Sequence, residues 1–487
     1  MDAKFRPGSF GMRRLEVMET KDAEAVHLRS LQLLERMGIK VVSEEGRRLL
    51  KEAGAEVDEK THVCRIPGPL VEESMKRCKR SFTMAARNPK YDFVLDGAHC
   101  YACTDGVGLA TIDLETGERR PSALRDVADS AKIVDHLPMM HMYNPLVTPL
   151  DVPKHAHTVH EYLAATENCE KHYTTGSTYQ REEAVYEIKM AEAVVGGEKE
   201  LRRRPIISSL TCTTSPMVLG MTTDAAIEFS RAGCPPLLMA MPLIGATAPM
   251  TVAGAVVLGN AQVIALATVL QLAAPGSPLC YSSEPMAMDV QSGLFEGLFP
   301  AADMVRAAHV QMSRYYGIPI FIGGWGTCSK APDVQAGYEK AFSAFIAYLS
   351  GADMTSGPGL LENWTVLSHE QLILDHEMFT MMADMLKGFR VDDSTVPMDV
   401  IMEVGHEGHY MGKKHTLDHF REMWQPMVTD GRTYKEWKAG GGKNAVDHAR
   451  DKAKEILRTH VPGPIAEDLR KELEALVAEA EGAIPHR

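Results

Sequence analysis

Ile318-Pro-Ile-Phe-Ile-Gly-Gly-Trp-Gly326 is followed by Thr-Cys-Ser-Lys-Ala-Pro332 and then by Asp-Val-Gln-Ala-Gly-Tyr-Glu-Lys340. The apolar run predicts a strand, the glycines a turn, and the segment after Pro332 a helix. Gly323, Gly324 and Gly326 have no Cβ, so the chain can bend sharply there and another group can approach closely. Trp325 rides on that turn. In a barrel of parallel strands, the loop after a strand opens onto the active-site mouth.

Working outward, the same rhythm recurs on both sides. Short apolar runs fall near Tyr101 and at 141–146, 172–176, 205–210, 236–241, 278–282, 319–322 and 353–356. Helical patterns alternate with them, at 122–137, 158–168, 182–195, 223–232, 252–272, 301–316, 333–349 and 369–389. Ser122 reads as the N-cap of the first, with Leu124, Val127, Ala131 and Val134 at helical spacing behind it. Strand and helix in alternation imply parallel pairing. The span is close to the roughly 250 residues of an eight-fold β/α barrel. A doubly wound open sheet is the competing reading, weakened because no Gly-x-Gly-x-x-Gly follows an early strand. The expected organisation is a mixed α/β extension at 1–95, a β/α (TIM) barrel at 96–390 and a mostly helical extension at 391–487. In the first, a helix at 23–37 ends at Gly38. In the last, Ile465, Leu469, Leu473, Leu476 and Ala480 form one apolar stripe that must pack on the barrel or on another subunit, with Glu467 and Lys471 paired outside it. A homo-oligomer is expected.

Formal net charge is −13, which argues against nucleic acid as a partner. The nine cysteines are scattered in a chain long enough to need no disulfides. The opening Met-Asp-Ala-Lys-Phe-Arg-Pro lacks an apolar signal core. Together these predict a reducing cytoplasm. From Cys234 to Ser283 there is no charged residue. Pro235, Pro236, Pro242 and Pro249 break its first part and Asn260, Gln262 and Gln271 polarise the second, so a buried strand and helix fit it better than a membrane span.

Cys100-Tyr-Ala-Cys103 has zinc-like spacing without a second pair, and reads as strand residues facing opposite ways. His155, His157 and His160, and likewise His406, His409 and His415, lack converging partners, so no metal site is put forward. The remaining signal is aromatic and acidic: Tyr143, Tyr179, Glu284, Trp325 and Trp364 each fall just after an expected strand. Each alone reads as packing. Gathered around one mouth, an arrangement that rests on the family resemblance below and not on the spacing, they would form an aromatic cage with an acidic wall, suited to a quaternary ammonium at roughly 0.5–2 kcal/mol per ring.

Three stretches carry a family resemblance. They are Ile-Gly-Ala-Thr-Ala-Pro-Met-Thr-Val-Ala-Gly at 244–254, running on to Gln-Leu-Ala-Ala-Pro-Gly-Ser-Pro at 271–278; the glycine loop with Pro-Asp-Val-Gln-Ala-Gly-Tyr-Glu at 332–339; and Ser-His-Glu-Gln-Leu-Ile-Leu-Asp-His-Glu at 368–377 with Gly-His-Tyr-Met-Gly-Lys-Lys-His-Thr at 408–416. Through them the chain resembles the trimethylamine methyltransferase superfamily nearly end to end. That resemblance implies a β/α barrel that passes a methyl group from a methylated amine to cobalamin, a corrinoid carried on a separate protein. In the trimethylamine enzymes pyrrolysine sits in the loop that here reads Gly-Trp-Gly, so the chain looks like the non-pyrrolysine branch, which acts on glycine betaine and related quaternary amines. The expected roles are Glu284 and Trp325 in catalysis, Tyr143, Tyr179 and Trp364 on the cation, and His369 or Gln262 on a substrate carboxylate. Gly323, Gly324 and Gly326 are expected against the cofactor. Many relatives carry glutamate where this chain has Gln262, and a neutral amide cannot serve as counter-ion. Two rivals remain: a different methyl donor or acceptor, and a non-catalytic protein that binds betaine or docks a corrinoid protein.

Overall fold

A computed structural model describes residues 8–9, 11–176, 178–296 and 300–486; the opening Met-Asp-Ala-Lys-Phe-Arg-Pro lies outside the described residues. Eight short strands, β1 (His99–Cys103), β2 (Met140–Tyr143), β3 (His172–Thr175), β4 (Ile207–Cys212), β5 (Pro236–Ala240), β6 (Cys280–Ser283), β7 (Ile320–Gly323) and β8 (Met354–Ser356), pair in parallel in that order. β8 then pairs with β1, setting Met354 opposite Tyr101 and Ser356 opposite Cys103, which closes the barrel. Eight helices follow the strands: α1 (Leu124–His136), α2 (His157–Asn168), α3 (Arg181–Val195), α4 (Thr222–Ala232), α5 (Val252–Ala273), α6 (Pro300–Tyr316), α7 (Val334–Ser350) and α8 (His369–Leu386). The strands are buried on both faces, which is why they read as unbroken apolar runs rather than alternating ones.

Side chains fill the barrel. Tyr101, Cys103, Met142, Leu210, Leu237, Met239, Cys280, Phe321 and Met354 form one interior cluster, sealed by Phe93, Leu95 and Met84 from the hairpin of Phe82–Met84 with Phe93–Leu95. Cys100 packs in the cluster outside the wall, so the two cysteines of the Cys-x-x-Cys do face opposite ways.

The charge-free stretch from Cys234 to Ser283 is β5, α5 and β6. Among the described residues α5 is one helix long and apolar enough to cross a membrane, yet 72% of its apolar window is buried in the fold. The barrel covers one side and the N-terminal helices Thr20–Arg36 and Gly68–Arg77 cover the other, so α5 is apolar all round. Gly38 follows the first of these helices at φ 79°, a left-handed stop. Ser122 is not the N-cap of α1. Its hydroxyl donates to Thr148 O at 2.6 Å, and the Asp126 carboxylate receives the Ala123 N–H at 2.8 Å instead. A charged acceptor serves the positive end of the helix better than a hydroxyl does.

The apolar stripe of the last helix, Glu467–Ala483, packs on α2 and α3 of its own barrel, with Leu473 and Ala480 fully buried. The helix Ala445–Thr459 packs on α8 and α1. Between α8 and that helix, residues 389–427 hold the short helices Met398–Val404 and Lys414–His419 without one buried residue.

Candidate active site

Alternation along the strands places one residue from each strand end in a ring at the mouth. Cys103, Met142, Leu210, Met239, Phe321 and Met354 point inward, so Asp105, Asn144, Cys212, Met241, Gly323 and Ser356 do too, two residues further on. Glu284 takes the corresponding place after β6, and Gly176 after β3. A Cβ on Gly323 would lie 1.0 Å from Glu284 Oε2, so the carboxylate occupies the space glycine leaves. A Cβ on Gly176 would lie 2.9 Å from Asn144 Oδ1.

Glu284 is held from one side. Arg306 on α6 donates from Nη2 to Glu284 Oε1 at 2.6 Å and from Nη1 to Asp303 Oδ1 at 2.6 Å, while Ser343 Oγ donates to the same Asp303 oxygen at 2.6 Å. Glu284 Oε2 has no partner, and neither Asn144 Oδ1 nor Nδ2 has one. An unsatisfied buried polar atom costs about 1–3 kcal/mol, so three of them in one ring mark a place built for a ligand. Asp105 accepts from Ser356 Oγ at 3.0 Å. Burial pushes its carboxyl up to about 7; the Ser356 hydrogen bond opposes this and the Glu284 charge adds to it. Burial also raises Glu284, against the pull of Arg306. Cys212 is pushed up to about 12 by burial, with Asp105 and Glu284 adding.

The Asp105 shift carries a stability consequence. An unfolded aspartate titrates near 3.9, so between about 4 and 7 the folded chain binds more protons and loses stability as pH rises. Asp105→Asn is therefore expected to stabilise the chain at pH 8 by a few kcal/mol at the full shift, read as a higher thermal midpoint, and to stabilise it by less at pH 5. A wild-type chain that melts at the same temperature as the variant at pH 8 would show that no such charge is buried there.

Small sheets rise from the loops that follow β5 and β6, and from those that follow β1 and β8. In the latter, Glu362, Asn363 and Trp364 all have left-handed backbone, φ 48°, 52° and 66°. Such a run costs roughly 1–2 kcal/mol per residue. The turn is pinned by Glu362 N donating to Ser329 O and Asn363 N to Thr327 O, both at 2.8 Å. It lays the Trp364 indole against Gly326 and Gly357, the glycines beyond β7 and β8, with its buried N–H unpartnered. Tyr179, 48% exposed, stands on the loop after β3, where burial raises its hydroxyl and the Cys212 thiol adds to the shift.

The structure thus brings Glu284, Trp364 and Tyr179 to the mouth and places the other sequence candidates elsewhere. Tyr143 points outward, its hydroxyl donating to Val127 O at 2.9 Å on α1. Trp325 is fully buried behind the wall, with its indole N–H on Thr355 Oγ1 at 2.8 Å. Gln262 is saturated: its carbonyl accepts from Thr213 at 2.5 Å and its amide donates to Ser215 Oγ at 3.1 Å and to Pro216 O at 2.5 Å. It fixes the loop after β4. His369 opens α8 beside a cleft of about 280 Å³ lined by α1 and the helix Ala445–Thr459, outside the barrel. Gly324 faces α7 and Gly326 faces Trp364, so the glycine faces are filled by protein. Sequence reading missed Asp105, Asn144 and Arg306; Thr-Asp-Gly right after β1 was the available signal for the first.

Among the described residues no cluster of three or more His, Cys, Asp or Glu is arranged to hold a metal. A ring of unpaired polar atoms with surplus carboxylates can hold a cation and orient it beneath an aromatic lip.

Comparison with known proteins agrees in fold and family. The barrel is similar to the crystal structure of the Methanosarcina barkeri monomethylamine methyltransferase (MtmB), at TM-score 0.55 and 10% identity over 96% of this chain and 90% of that one. Trimethylamine methyltransferase MttB of Desulfitobacterium hafniense (strain DSM 10664 / DCB-2) is 33% identical over 458 residues, 94% of this chain and 92% of the relative. The glycine betaine methyltransferase of Desulfitobacterium hafniense (strain Y51) is 27% identical over 470 residues, 96% of this chain and 97% of the relative. Residues 5–485 match the family described as Trimethylamine methyltransferase (MTTB), which is nearly the whole chain. The chain belongs to the trimethylamine methyltransferase family of enzymes.

Proposed function

We propose that this chain takes a methyl group from a quaternary ammonium substrate and passes it to a corrinoid carried on a separate protein. The observation that carries this reading is Glu284: a buried carboxylate at the barrel mouth with one oxygen tied to Arg306 and the other unpartnered. A permanent cation satisfies that oxygen without donating a proton. The nitrogen already bears positive charge, so the C–N bond breaks with the electron pair going to nitrogen and a neutral amine departs. No general acid is needed at the leaving atom. Glu284 and Asp105 hold the cation, Trp364 and Tyr179 offer π faces at the rim, and the surrounding small sheets exclude water. When docked, the corrinoid supplies the cobalt nucleophile that receives the methyl carbon. Gly323, Gly324 and Gly326 face this chain's own atoms, so in this reading the carrier protein holds the corrinoid and this chain holds the amine.

The test is methyl transfer to free cob(I)alamin, read by absorbance, with quaternary amines and with trimethylamine as donors. Transfer from a quaternary donor, reduced by roughly ten-fold or more in Trp364→Ala, is the expected result. Transfer from trimethylamine alone would overturn the proposal, and tight ligand binding without transfer would favour a binding protein instead.

The same reading includes a homo-oligomer. It has a surface to use in residues 389–427, where Phe389, Met402, Met411 and Met423 are 90%, 71%, 75% and 70% exposed. It also places the chain in a reducing cytoplasm, supported by nine cysteines that are all free thiols.

A further inference from the structure

Resting on the proposed quaternary-ammonium reading, the charge around the mouth narrows the substrate. The inner ring holds Asp105 and Glu284, and Asp303 stands directly behind. One guanidinium, Arg306, answers these three carboxylates, and it is engaged by Glu284 and Asp303 at 2.6 Å each. No ring position carries a base.

The loops joining the eight strands to their helices hold four Lys or Arg residues. Arg119 pairs with Glu362 at 2.6 Å, and Arg120 with Asp126 at 2.7 Å and Asp113 at 3.0 Å. Lys330 donates to Cys328 O at 2.7 Å, and Lys154 is exposed on the loop that leads into α2. Ser177 and residues 297–299 contribute no basic side chain by sequence. Lys340, beneath the β7 and β8 loops, is fully buried against Asp375.

A zwitterion such as a betaine brings a carboxylate within a few ångströms of its ammonium. Here that carboxylate would be desolvated beside two acids without a cation to receive it, a like-charge contact that disfavours binding. Neither residue expected from sequence to greet it is available: Gln262 is saturated by the loop after β4, and His369 lies outside the barrel. A plain cation brings only the charge the ring lacks. Asn144, fully buried with both amide atoms unpartnered, supplies one donor and one acceptor to the rest of the ligand, which suits a hydroxyl or another neutral polar group.

We propose that this mouth takes a quaternary ammonium ion whose remaining substituents are uncharged, a choline-like or tetraalkylammonium cation, and discriminates against carboxylate-bearing betaines.

Calorimetry on the full chain tests this with choline, tetramethylammonium, glycine betaine and trimethylamine, at pH 6 and pH 8. Choline or tetramethylammonium is expected to bind at least ten-fold more tightly than glycine betaine at pH 8. The preference should grow from pH 6 to pH 8, because Asp105 ionises across that interval, and Asp105→Asn should shrink it. Equal or tighter binding of glycine betaine overturns this inference and leaves the quaternary-ammonium function standing. Binding of trimethylamine with no quaternary cation overturns both, and so does binding of none of the four. Where Asp105→Asn leaves the preference and its pH dependence unchanged, the charge argument is wrong even if choline wins.

Discussion

Gly323→Ala is expected to lower methyl transfer by about two orders of magnitude or more while the barrel still folds. The added Cβ would sit 1.0 Å from Glu284 Oε2, so the carboxylate must leave its place. Its departure also strips Arg306 of its carboxylate partner at 2.6 Å and leaves Asp303 as the remaining carboxylate on this buried guanidinium, with Ser343 Oγ and Pro285 O as neutral acceptors. Breaking a buried pair costs about 3–5 kcal/mol, but the backbone at Gly323 is not left-handed and alanine fits it without strain. Gly324→Ala is the control. Its Cβ would meet Ala344 Cα at 3.4 Å, an ordinary contact, so near-normal activity is expected. Rates are read with free cob(I)alamin, and folding by circular dichroism. A fully active Gly323→Ala chain would remove Glu284 from the reaction.

Lys340→Met is expected to destabilise the chain by about 3–5 kcal/mol and to lower activity as well. Lys340 and Asp375 are both fully buried and 3.0 Å apart. The ammonium also donates to Trp325 O at 2.8 Å and to Gly357 O at 3.3 Å, while the carboxylate receives Gly359 N–H at 2.7 Å and Gln371 Nε2 at 2.7 Å. One ion pair thus ties the loops after β7 and β8 to α7 and α8. Methionine fills the space of the stem but leaves Asp375 as a lone buried charge. Adding Asp375→Asn should recover part of the loss, since an amide needs no counter-ion. Denaturant melts of the single and double variants measure both steps. A single variant as stable as wild type would show that the pair holds nothing together.

The barrel was readable because buried parallel strands and amphipathic helices have different periods. The eight runs and eight helical patterns lie where the strands and helices do. The site was readable only by parity. Glu284 falls on the inner face, but Tyr143 is one residue short of Asn144, and a step of one along a strand exchanges the inside for the outside. The register shift in β2 between Met140 and Met142 made that parity impossible to count from sequence. Trp325 misled for another reason. Glycines on a turn allow an aromatic to stand free, but Thr355 offers its indole an acceptor behind the wall. Arg306 lies in an ordinary helix pattern, and only the tertiary fold brings it to Glu284.

The closure of β8 on β1 also sets an order of events during synthesis. Tyr101 and Met354 are register partners about 250 residues apart, so at roughly 5–20 residues per second the first strand waits tens of seconds for its last neighbour. Gly8–Ser9 covers the edge only at His99–Cys100, so until then Tyr101–Cys103 stays open, a template for pairing with another nascent chain. The hairpin of Phe82–Met84 with Phe93–Leu95 emerges before any barrel strand and gives the half-built wall an apolar floor to collapse upon. Ribosome-bound chains stopped before residue 350 should therefore be the ones that engage chaperones.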